Sequence, residues 1–233
     1  MLVLVACLYG AYYISHFIGV VVGAQIVFLI YDIHAAMEVL NEELERILSN
    51  IHETRSLNKA EEASLRRISI LYGVVSDTVG YFNKDDGALV LLKFTTYNVY
   101  LMFTAYYFYN ILSQSGNPAS STQYYLIMLN AIWCTAHITG MLVYVEPCHQ
   151  TLQEVEKYRV LLTDLMYRTQ PPGEPSSLCV DVLYKQLVFD PLTFSPLGVC
   201  TITRSLLTAA ISTLTTCLVI VVQYRLGNVK KAA

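Results

Sequence analysis

The chain has 233 residues and a formal net charge of −3, with 14% charged residues against 55% apolar or aromatic ones. Soluble domains carry roughly 25% charged residues, so this composition points to lipid as the solvent and excludes an ordinary soluble domain. No block of Lys or Arg is long enough to be a nucleic-acid footprint or a lipid-binding polybasic segment.

The first apolar run, about residues 2–31, is long enough to cross about 30 Å of hydrocarbon as a tilted helix. The first Lys or Arg is Arg46, so this run lacks the basic start of a cleavable signal and reads as a retained span. A chain that opens inside a span also raises the expectation that residues precede Met1. From 32 to 86 the sequence is polar, yet Met37, Leu40, Leu44, Leu48 and Ile51 recur at helical spacing. Leu65, Ile68, Leu71, Val75, Val79 and Phe82 then form a second such face. We expect the spanning helices to continue into the cytosol and pack there.

The second span, about 88–112, is rich in Tyr and Thr, and a short uncharged link, Ser113–Gln123, makes spans two and three an antiparallel hairpin. The third span covers about 124–145. An amphipathic helix follows from Glu146, with Leu152, Val155, Leu162 and Leu165 on one side, until Pro171, Pro172 and Pro175 break it. A short helix, Leu178–Phe189, leads to Pro191 and Pro196, and the fourth span runs over about 197–224.

The expected fold class is therefore all-α, an integral membrane helical bundle of about four transmembrane helices extended by long cytosolic helices, with 1–233 as a single membrane domain. Segments 32–86 and 146–196 hold most of the Lys and Arg. The positive-inside rule places both in the cytosol and both chain ends outside. Cys7, Cys134, Cys200 and Cys217 lie inside apolar runs, Cys148 at a span's end and Cys179 in a loop. None forms a C-x-x-C pair, so neither a disulfide framework nor a metal site is expected. The histidines are scattered, with no H-E-x-x-H, carboxylate cluster or phosphate loop. The chain thus reads as no enzyme and as needing no cofactor.

Near the C-terminus, Thr215-Thr216-Cys217-Leu218-Val219-Ile220-Val221-Val222-Gln223-Tyr224 is similar to the closing signature of the insect gustatory receptor family: Thr-Tyr, an aliphatic run, then Gln-Phe. This family is related to the insect odorant receptors. Cys217 stands where the family has Tyr, and Tyr224 where it has Phe. Leu197-Gly198, Ile202, Arg204 and Leu206-Leu207 resemble the approach to that signature, and Leu71-Tyr72 and Asn83 resemble the family's long connection between its fourth and fifth spans.

The likeness covers nearly the whole chain but corresponds to the family's last four spans, so three family spans are expected to be missing. It implies a chemosensory, ligand-gated cation channel in the plasma membrane, built as a homo- or hetero-tetramer with other receptor subunits. The last helix of each subunit would line the pore, and a small-molecule tastant would be the ligand.

Within that picture Thr216, Ile220 and Gln223, at i, i+4 and i+7, share one helix face. Four such faces make an aliphatic constriction bordered by Gln amides. The competing reading puts Gln223 at the interface and bonds Thr216 to its own helix. Asn130, Trp133 and His137 share a face of the third span, and Tyr97 and Tyr100 crowd the second. They could orient a small organic ligand, or pack helix against helix. Among intramembrane ionisable groups, His16, Lys93, His137 and Arg204, Lys93 and Arg204 lie near cytosolic span ends and snorkel; Asp190 is the expected partner of Arg204. Two other function classes remain open: a four-span scaffold or signalling protein without conductance, and a non-functional receptor fragment.

Overall fold

The computed structural model describes residues 2–54, 58–113, 121–169 and 178–232. In chain order these form α1 (Leu2–Thr54), α2 (Lys59–Tyr81), a π-helical turn (Phe82–Asp86), α3 (Gly87–Ser113), α4 (Ser121–Thr169), α5 (Leu178–Phe189), a 3₁₀ turn (Pro196–Gly198) and α6 (Arg204–Ala232). No strand occurs among the described residues. Four helical stretches are long and apolar enough to cross a membrane, in α1, in α2 continued through the π turn into α3, in α4 and in α6. The chain is an all-α membrane helical bundle. The expected hairpin link and proline-rich break fall largely on 114–120 and 170–177, outside the described residues.

The polar half of α1 explains where the core sits. Ile33, Met37, Leu40, Leu44, Ile47 and Ile51 are all buried. Their spacing of three and four residues makes one stripe of the helix, and that stripe packs most extensively on α4. Each such side chain removed from water contributes about 1.5–3 kcal/mol. Leu65, Ile68, Val75 and Val79 of α2, Leu162 and Leu165 of α4, and Val180, Leu183 and Leu187 of α5 complete the same core. On α2 the sequence pattern put Leu71 inside. Leu71 is half exposed, and its neighbour Tyr72 is buried instead, because a 3.6-residue period running through Ile68 and Val75 admits either position and the larger ring fills the space. Tyr72 stacks on Tyr158 of α4 with ring centroids 5.2 Å apart and planes 7° apart, and its hydroxyl donates to the Asp190 carbonyl at 3.2 Å. Burial pushes the Tyr72 phenol up to about 12 and raises that of Tyr158 as well.

Polar contacts also tie the helices of this core together. The buried Asn41 side chain donates to the Glu154 carbonyl at 2.9 Å and to the Glu154 carboxylate at 2.8 Å, tying α1 to α4 beside the Lys157–Glu45 ion pair. Helix α4 continues through Pro147 rather than restarting at Glu146. The proline removes one backbone donor from the ladder, and the Thr151 hydroxyl bonds the Pro147 carbonyl at 2.8 Å.

The last helix begins at Arg204 rather than at the expected Leu197. Two successive residues, Leu197 at φ 51° and Gly198 at φ 69°, adopt left-handed backbone, which an α-helix cannot absorb. The preceding loop is folded, not loose. Phe194 is fully buried and meets Phe82 of the π turn edge-on at 5.5 Å. Asn83 clamps the loop on both sides: its amide donates to the Thr193 carbonyl at 2.8 Å and its carbonyl accepts from the Ser195 N–H at 2.7 Å. The Ile202 N–H closes the loop on the Phe194 carbonyl at 2.8 Å.

Candidate functional site

Two constellations in the spans carry chemistry. The first lies between α3 and α4. Because Trp133 and His137 are one helical turn apart on α4, and Tyr97 and Tyr100 one turn apart on α3, two short stripes face each other. His137 is 8% exposed and lies between rings: Tyr100 at 5.2 Å with planes 2° apart, Trp133 at 5.8 Å and 25°, and Tyr97 tilted at 6.0 Å. Centroid separations of 4.5–7 Å are those at which aromatic pairs attract. One turn further along, the Asn130 amide donates to the Thr104 carbonyl at 3.0 Å. Four of the five residues expected at a ligand site thus meet in one aromatic layer of the α3–α4 contact, and Asn130 lies one turn beyond it.

Glycine allows that layer to close. A Cβ at Gly140 would lie 2.9 Å from the Tyr97 ring, so only a bare backbone lets the ring lie against α4 at this height. Trp133 and Tyr100 keep 44% and 38% of their surface outward. A cavity of about 330 Å³ lies elsewhere, between α3 and α6, lined by Val99, Phe103 and Tyr106 on one side and Leu214, Leu218 and Val221 on the other.

The second constellation is the outer face of α6. None of residues 204–223 is buried within the chain, and α6 packs mainly along α3 and α4. Thr216, Ile220 and Gln223 are all exposed. At roughly 100° per residue their mean direction lies about 140° around the helix from the cavity-lining Leu214, Cys217, Leu218 and Val221. The three residues therefore point away from the chain's own bundle. The Thr216 hydroxyl donates to the Ser212 carbonyl at 2.9 Å, the backbone bonding weighed as the alternative for this residue. That bond occupies the hydroxyl hydrogen and leaves its oxygen lone pairs available as acceptors.

Arg204 has a different partner from the one the sequence offered. Its guanidinium holds both carboxylate oxygens of Glu146, at 2.6 and 3.2 Å, while the Asp190 carbonyl is taken by Tyr72. The Arg204 guanidinium beside Glu146 holds that carboxyl below the usual carboxylate range. A signal for this pairing was present: Glu146 is the first charged residue after the uncharged stretch Tyr124–Val145, and Arg204 the last before the uncharged stretch that follows it. Both therefore sit at the same edge of the membrane. No group of three or more His, Cys, Asp or Glu able to hold a metal occurs among the described residues.

Residues 2–228 match the sequence profile described as 7tm Chemosensory receptor. The chain belongs to that family. It is also 25% identical over 197 residues to the Gustatory receptor for sugar taste 43a of Drosophila melanogaster. The match takes in 84% of this chain and 42% of that receptor, so the chain spans less than half the length of the relative. The chain is thus a membrane protein of a chemosensory receptor family, not of an enzyme family.

Proposed function

We propose that the chain is a gustatory-type receptor subunit that gates cations across the plasma membrane in response to a small-molecule tastant. The observation that carries this reading is the direction of Thr216, Ile220 and Gln223. In a bundle that kept its last helix for packing, polar side chains at those positions would turn inward; here they turn away from α3 and α4. Four copies of that face about a common axis, from this chain or from this chain with other receptor subunits, give a ring of hydroxyl acceptors, an aliphatic constriction and a ring of amides. Such a set can exclude water when narrow and hydrate a cation when wide.

The α3–α4 aromatic layer supplies the sensor. Ring faces at Trp133 and Tyr100 with polar groups at His137, Asn130 and Tyr97 suit a small polyhydroxylated ring, which needs both an apolar floor and fixed hydrogen-bond partners. The relative's part in sugar taste supports that ligand class. The Lys- and Arg-bearing segments 32–86 and 146–196 then lie in the cytosol and both chain ends outside.

The test is whole-cell current from cells expressing the chain alone and with full-length gustatory subunits, under glucose, fructose, sucrose and quinine. The reading requires a ligand-evoked cation current whose relative permeability changes in Gln223→Ala. Surface expression without current in every combination refutes it and leaves a non-conducting four-span protein.

A further inference from the structure

The last helix is held to the rest of the chain by little. Its apolar contacts come from half-buried side chains such as Leu206, Leu207, Ala210 and Leu214. Among the described residues a single ion pair reaches it, the one between Arg204 and Glu146. That pair is bidentate, with guanidinium Nη2 and Nε each donating to a different carboxylate oxygen, the geometry that fixes direction as well as distance. The carboxylate is itself oriented, because the Gln150 amide donates to it from the next turn at 3.3 Å.

The position of Glu146 on α4 gives the pair its consequence. His137 lies nine residues away on the same helix, about 13.5 Å along the axis at 1.5 Å per residue. Pro147 cannot donate to the Val143 carbonyl four residues before it, so the segment carrying Trp133 and His137 can tilt on the rest of α4 about the turn that holds Glu146 at lower cost than elsewhere. A tilt of that segment moves Glu146, and Glu146 holds the first residue of α6.

We propose that Glu146 is a positioning residue for the last helix, and that its hold on Arg204 carries displacement of the α4 aromatic layer into α6. This rests on the channel reading above, and it commits to one physical link between two named elements.

The test uses Glu146→Gln, Arg204→Gln and the exchanged pair Glu146→Arg with Arg204→Glu, in the full chain co-expressed with full-length subunits. Surface labelling corrects each current for expression. Each single variant should shift the half-maximal sugar concentration, or cut the saturating current, by about 5–150-fold, the range of ordinary coupling between sites, with cation selectivity unchanged. The exchanged pair should recover most of the loss. Amide exchange of the purified chain in nanodiscs supplies a second readout: residues 203–208 should exchange faster in each single variant and return to the native rate in the exchanged pair.

A wild-type current that the single variants leave unaltered overturns the proposal and spares the channel reading. A silent wild type sinks the channel reading, and the exchange rates still judge the link: unchanged rates in the single variants, or an exchanged pair no slower than they are, reject it.

Discussion

Replacing Phe194 with alanine asks whether the loop before α6 is a structural element in its own right. The phenyl ring is fully buried and sits edge-on to Phe82, in a loop closed by the Ile202 bond and by both ends of the Asn83 amide. Removing a buried Phe side chain costs about 3–5 kcal/mol through lost transfer energy and the void left behind, and about 0.5–1.5 kcal/mol of that belongs to the ring pair. For a chain of this size each kcal/mol corresponds to roughly 2–4 °C, so Phe194→Ala should lower the apparent melting temperature by about 6–20 °C. The assay is loss of the monodisperse size-exclusion peak of the detergent-solubilised protein after heating, at one fixed heating time because unfolding here is governed by rate. Val160→Ala, at a side chain 60% exposed on α4, is the control and should change stability by no more than about 0.5 kcal/mol. A drop below about 2 °C for Phe194→Ala would mean that the loop folds without this anchor.

Two glycines should respond in opposite directions. A Cβ at Gly87 would lie 2.9 Å from the Leu197 amide nitrogen and 3.1 Å from the Pro196 Cα, backbone atoms that cannot swing aside, so Gly87→Ala should destabilise by about 1–3 kcal/mol. Gly80 is helical with nothing within 4 Å of an added Cβ, so Gly80→Ala should stabilise by about 0.5–1 kcal/mol; thermal melts that show the same sign for both count against the packing described. Stability should also fall as pH rises from 10 to 12. Below that window Tyr72 is neutral folded or unfolded, whereas within it the unfolded chain ionises and the folded chain keeps its proton, so rising pH draws the equilibrium toward unfolding. Melting temperatures measured across the window should decline less steeply in Tyr72→Phe, and equal slopes would show that the buried phenol does not contribute.

The parts of this molecule that were legible in the sequence are those fixed by periodicity. The stripe Met37, Leu40, Leu44 and Ile51 repeats over four turns, which is enough to define a face and to bury it. The same holds for His137, Trp133 and Asn130, whose helical spacing makes them neighbours wherever α4 is placed. Where a single position decides, pattern fails. Leu71 and Tyr72 both satisfy the α2 period, and only the presence of Tyr158 opposite selects the tyrosine. The start of α6 depends on two left-handed residues, one of them a leucine that no propensity would place there. The partner of Arg204 depends on which helix end the loop delivers it to, and Asp190, nearer in sequence, is turned instead toward α2 through its backbone carbonyl.

The distribution of burial follows from the two solvents this chain meets. In the polar halves of α1, α2 and α4 and in α5 apolar side chains gain by leaving water, and there most stripe residues are buried in one core. Within the spans lipid tails offer the same apolar surroundings as a neighbouring helix, so association rests on close contact and polar links. The span contacts are accordingly sparse and specific: the Tyr97 ring against Gly140, the Asn130–Thr104 bond, the histidine between its rings, and one charge pair at the root of α6. A chain built this way can keep its fold through that core while its spans rearrange. An alanine at Leu44 or Leu165 should therefore cost stability, about 2–5 kcal/mol each, and, on the proposed channel reading, leave the sugar concentration–response of the surviving protein unmoved. A shift in that response at unchanged surface level would show that the core also takes part in gating.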